Sequence, residues 1–90
     1  MSIDQPADIN AIDDPAALLA EGRAAMERDD KQTARAALRR AVKLAPESAE
    51  AWLALAGVVG TMSERRQAYE RALALDPASQ AAKDGLAALN

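Results

Sequence analysis

The chain has 90 residues, half of them apolar, a formal net charge of −3, and no histidine, cysteine or phenylalanine. Its 24 alanines and ten leucines far outnumber its three valines and three isoleucines, and Trp52 and Tyr69 are its only aromatics; this favours helices and argues against a β fold. Without histidine or cysteine there is no Cys/His zinc site, histidine base, thiol nucleophile or disulfide framework, and no apolar run approaches the roughly 20 residues of a membrane span. The expectation is a cytoplasmic, non-membrane, all-α protein with no cofactor and no metal.

The charge is unevenly placed. Residues 1–14 carry Asp4, Asp8, Asp13 and Asp14 and no basic side chain, a net of −4. The remainder is nearly neutral, so it exerts no general pull on nucleic acid. Residues 1–14 therefore read as a flexible acidic tail ahead of a helical domain at 15–90.

Asp14-Pro15 starts the first helix, with an acidic cap and a proline where a missing N–H is no loss. Leu18, Leu19, Gly22, Ala25 and Met26 then recur at helical spacing until Asp29-Asp30. Asp30 caps a second helix with Ala34, Ala37, Leu38, Ala41 and Leu44 on one face and Arg35, Arg39 and Lys43 on the other. Pro46 stops it, and Ser48 caps a third helix carrying Trp52, Leu55, Ala56 and Val59 and ending near Gly60. Ser63 opens a fourth helix, with Ala68, Tyr69, Ala72 and Leu75 before Pro77. Ser79 caps a last short helix bearing Ala82, Leu86 and Leu89. Five helices joined by short turns must pack antiparallel.

These helices repeat. The caps Asp14, Ser48 and Ser79 are separated by 34 and then 31 residues. At the same offsets Leu18 meets Trp52, Leu19 meets Leu53, and Gly22 meets Ala56 and Ala87. Ala41, Leu44 and Pro46 return as Ala72, Leu75 and Pro77. One register for caps, core and prolines points to a helical solenoid.

On these residues the chain resembles the tetratricopeptide repeat family. The first unit offers Leu18, Gly22, Ala25, Ala34, Leu38, Ala41 and Pro46, and the second Trp52, Leu55, Ala56, Val59, Tyr69, Ala72 and Pro77. The segment YERALALDP at 69–77 is the nearest match to the family pattern. The resemblance implies antiparallel helix hairpins in a right-handed superhelix, with one unit at 15–48, a shortened unit at 49–79 and a closing helix at 80–90. Glu21 departs from a usual leucine, Arg65 from a small residue, and three residues are missing around 58–66. Trp52 and Tyr69 are expected to supply most of the core bulk, and Gly85 to weaken the closing helix.

The carboxylate pairs Asp13/Asp14, Asp29/Asp30 and Glu47/Glu50 all fall at helix ends, where acids meet the helix dipole favourably. The serines have capping roles and no base to activate them. No catalytic residue is assigned, and the chain is not expected to be an enzyme.

The resemblance implies that first helices line a concave groove for a protein or peptide partner, which here maps to Leu19, Arg23, Met26, Glu50, Leu53 and Gly57. A carboxylate clamp of the kind some members carry would fall at Leu19, Arg23, Ala54, Ala81 and Gly85. Only Arg23 could donate to a carboxylate, so the groove suits an apolar segment instead. Two other readings remain. Unpaired solenoid ends could drive a homodimer, or the Arg35/Arg39/Lys43 stripe, otherwise a solvated convex face, could hold an anion or nucleic acid, a weaker case without aromatic platforms. Ile3, Ile9 and Ile12 stand out in the acidic tail; Ile12 is expected to pack over Leu18, or the tail could lie in the groove.

Overall fold

The computed structural model describes residues 12–89. Five helices follow in order: α1 (Pro15–Glu27), α2 (Lys31–Leu44), α3 (Ala49–Ala56), α4 (Met62–Leu75) and α5 (Gln80–Leu89). No strand occurs among the described residues. The helices form antiparallel hairpins: α1 packs on α2, α3 on α4 and α4 on α5, while α1 and α2 both touch α3.

Each start has a side-chain cap. The Asp14 carboxylate accepts from the Ala16 N–H at 3.1 Å and Asp30 from Thr33 at 3.2 Å. Ser48 and Ser79 accept at 3.2 Å from Ala51 and Ala82. The fourth cap is not Ser63 but Thr61, which accepts from the Glu64 N–H at 3.1 Å and reaches the Glu64 carboxylate at 3.2 Å. That threonine and the glutamate three residues on satisfy each other, an arrangement Ser63 could not share with Glu64.

Hydrogen bonding to Thr33, through its side chain and then its backbone, holds the Asp30 carboxyl below its ordinary value of 3.8. A depressed folded value means that the capped carboxylate stabilises the fold above pH 3.8 and loses that contribution as pH falls through the folded value. Asp30→Asn keeps an acceptor at the cap but cannot titrate. Thermal melts between pH 5 and pH 2 should therefore fall less steeply for Asp30→Asn than for the parent. Parallel curves would show that the cap does not prefer the charged form.

The core is built from small residues around two leucines. Leu18 and Leu38 are the largest fully buried side chains, and Ala25, Ala34, Ala37 and Ala41 are as deeply buried. Gly22 is what brings α1 onto α2: a Cβ there would stand 2.6 Å from both Cγ and Cδ2 of Leu38. Gly22→Ala gains about 1 kcal/mol in helix propensity but incurs about 1–3 kcal/mol of overpacking. Chemical denaturation should show a net loss of about 1 kcal/mol; a gain would mean that Leu38 has room to turn away.

Several positions differ from the sequence expectation. Trp52 and Tyr69 are only half-buried. Trp52 packs at the margin of the core with its indole N–H donating to the Pro46 carbonyl at 2.9 Å. An amphipathic ring with a polar tip sits naturally at such a margin. Leu44, predicted inward, is 39% exposed, and Val42 takes the inward place. Its counterpart Leu75 is also exposed.

The third helix ends at Ala56, with Gly57 as its cap, and not near Gly60. It has 8 residues where α1 has 13, so the shortening falls on the helix. Val58 and Val59 leave the helix yet remain buried, filling the space of the missing turn. Arg65, at the expected small position, ties this connection down with a 3.1 Å bond from Nη2 to the Val59 carbonyl. Its Nε, buried although the residue as a whole is half-buried, has no hydrogen-bond partner among the described residues.

Gly85 is not a defect in the closing helix. A Cβ there would collide with the Tyr69 ring at Cζ, Cε1 and Cε2, so the absent side chain is the seat for that ring. Close approach outweighs the propensity cost of an interior glycine.

Candidate partner-binding groove

The α1–α2 turn and the α3 start set two parallel walls side by side. Arg23, Met26 and Glu27 come from one face of α1, spaced three and four apart, and Glu50, Leu53 and Ala54 from the same spacing on α3, continued by its cap Gly57. Leu38 of α2 lies beneath them, and together they enclose an open groove of about 510 Å³. Five of the six residues predicted for a groove thus converge: Arg23, Met26, Glu50, Leu53 and Gly57.

Leu19, the sixth, lies one helical turn before Arg23 and is half-buried against the core, outside this lining. Glu27 belongs to the lining but was not anticipated; its signal was the spacing of four from Arg23 on an already apolar face.

The apolar content is concentrated. Met26 is 42% exposed and Leu53 half-buried, so both present side-chain surface that the core does not use. The polar groups partly answer one another. Arg23 and Glu50 form an ion pair at 2.9 Å with both side chains more than half exposed. Such a pair adds little stability, but it holds two charges off the groove floor.

Four of the six carboxylates flagged in the sequence have partners within the chain. Asp14 and Asp30 are caps, Asp13 pairs with Arg40 at 2.8 Å, and Glu50 pairs with Arg23. Among the described residues no group of three or more Asp, Glu, His or Cys is placed to hold a metal ion. No described helix is long and apolar enough to cross a membrane.

The basic stripe differs from a freely solvated face. Arg35 is half-buried and donates to the Val58 carbonyl at 3.4 Å, while Arg39 pairs with Glu64 at 2.9 Å. These contacts join α2 to the α3–α4 connection and to the start of α4. Lys43 remains exposed. Arg40, beside the stripe, donates to the Ile12 carbonyl at 3.0 Å as well as to Asp13. Ile12 itself packs against the core cluster that contains Leu18. The segment before α1 is therefore fastened to α2, whereas the groove lies between α1 and α3. Ile3 and Ile9, with the rest of the acidic tail up to residue 11, lie outside the described residues.

A second, smaller hollow is formed by Trp52, Gln67, Glu70 and Arg71. There the Arg71 guanidinium stands 5.4 Å from the Trp52 ring centroid, a cation–π contact that occupies the ring face.

A family model for the tetratricopeptide repeat matches residues 15–58. That segment spans α1, α2 and α3 and so contains every lining residue of the groove. No curated protein matches the chain.

Proposed function

Because the chain is a tetratricopeptide-type repeat protein, a class that generally mediates protein–protein interaction, we propose that it binds an apolar peptide or protein segment between α1 and α3. In this reading Met26 and Leu53 grip aliphatic side chains and the Arg23–Glu50 pair frames one end. Leu19 contributes from beneath as support. Residues 15–48 and 49–79 form two successive units, 80–90 closes them, and 1–14 is an appended acidic segment. The protein acts as a binding module and not as an enzyme.

The observation that carries this reading is the joint exposure of Met26 and Leu53 in one groove whose nearest opposite charges already pair. Exposed apolar surface gathered in a concavity and rimmed by polar groups is the usual form of a peptide-binding site.

A displayed library of random dodecapeptides, selected against the full chain, tests it. Selected peptides should carry aliphatic anchors, and Leu53→Arg should weaken them at least about tenfold, or about 1.4 kcal/mol. The helical signal and melting temperature should hold, since Leu53 is only half-buried. Met26→Glu, at a more exposed position, repeats the test independently of folding. Selected peptides that bind all three proteins equally would exclude the groove.

A further inference from the structure

The groove is electrically lopsided. At one end Arg23 is paired with Glu50. At the other, the C-termini of α1 and α3 come together at Glu27 and Gly57, and neither helix has a basic residue in its last turn. Each helix C-terminus carries a partial negative charge that a nearby cation would offset. Arg28 caps α1 but is drawn elsewhere, to Glu21 at 3.4 Å and Asp30 at 3.9 Å. Glu27 is exposed and has no ion pair or hydrogen bond among the described residues. Arg28 stands at the end of α1, and Arg35 and Arg65 donate to the Val58 and Val59 carbonyls just past α3. The unanswered charge at the apolar floor is therefore the Glu27 carboxylate, in a lining with two acids, Glu27 and Glu50, and one cation, Arg23.

We infer that the segment held in the groove carries a lysine or arginine beside its aliphatic anchor, and that this side chain pairs with Glu27. The inference rests on the groove reading above and adds the charge of the partner. An aliphatic side chain seated on Met26, Leu53 and Ala54 leaves the next residues of the segment over the Glu27–Gly57 end. A cation there meets the unpaired Glu27 carboxylate; an acidic residue there meets like charge. The site thus selects apolar–basic segments over apolar–acidic ones.

Peptides from the selection, synthesised with acetylated and amidated ends, provide the probe. Basic residues should be enriched next to the aliphatic anchor. Replacing that basic residue by glutamate should weaken binding about three- to tenfold at 50 mM salt, with the gap closing at 500 mM. Glu27→Lys should invert the preference, while Arg71→Glu, away from the groove, should leave it unchanged.

Peptides that need Leu53 but show no charge preference, or none that Glu27→Lys alters, would overturn this inference and leave the groove reading standing. Failure to recover any peptide sensitive to Leu53→Arg would overturn both. A dimer at assay concentration that Leu53→Arg dissociates would make a second copy the occupant and also overturn it. So would a tenfold gain in peptide affinity on Ile9→Glu, which would make the chain's own N-terminal segment the occupant.

Discussion

Leu38→Ala should destabilise the protein by about 2–5 kcal/mol, enough to unfold much of it at ambient temperature. Leu38 is fully buried where α1, α2 and α3 meet, and its Cγ and Cδ2 fill the space that Gly22 leaves open. The alanines that surround it cannot expand into a cavity, so little of the loss is recovered by collapse. Urea unfolding followed by circular dichroism measures the effect. Adding Gly22→Ala to Leu38→Ala should partly refill the cavity, so that the same glycine substitution changes from harmful to helpful. Two residues in contact are expected to couple in this way. Additive losses would show that Gly22 and Leu38 do not share one packing constraint.

Tyr69→Ala should cost about 2–3 kcal/mol, below the roughly 3–5 kcal/mol of a fully buried aromatic because the ring is half exposed. Its consequence should be local. The ring sits on the notch at Gly85, and the buried residues of α5 otherwise amount to Ala82. Remaining attachment at the far end comes from Arg66, which donates to the Leu89 carbonyl at 3.5 Å. Amide hydrogen exchange should therefore accelerate across Gln80–Leu89 well before it does in α1 and α2. Uniform acceleration throughout the chain would instead make Tyr69 part of a single cooperative core.

The architecture was legible because small and capping residues carry most of it. Asp14, Asp30, Ser48 and Ser79 mark helix starts by chemistry that needs no tertiary context, and Pro46 and Pro77 mark stops. The α3–α4 connection was not legible. Val58 and Val59 continue an apolar stripe in sequence, yet their burial is set by packing of a loop and not by helical phase. Thr61 and Ser63 are both hydroxyl residues two positions apart, and the glutamate three residues ahead, Glu64, distinguishes Thr61 as the cap. Trp52 and Tyr69 are the bulkiest side chains, but volume alone does not put a residue at the centre. Each sits at a margin, beside Pro46 or Gly85, while Leu18 and Leu38 fill the middle. The groove was expected from the family resemblance, which sets the first helices of successive units side by side, and the repeat register supplies the matching faces of α1 and α3. Leu19 lies outside the groove lining and Glu27 inside it, because register gives the face of a helix but not where along it the neighbouring helix approaches.

Titration of the uniformly 15N-labelled full chain with a selected peptide tests the groove most directly, since amide shifts report the bound face residue by residue. The largest shifts should fall on Arg23, Met26, Glu27, Leu53, Ala54 and Gly57, with Arg39, Arg40 and Lys43 on α2 unmoved. Shifts concentrated on the α2 stripe or on α5, with the α1–α3 face silent, would contradict the groove as the binding surface.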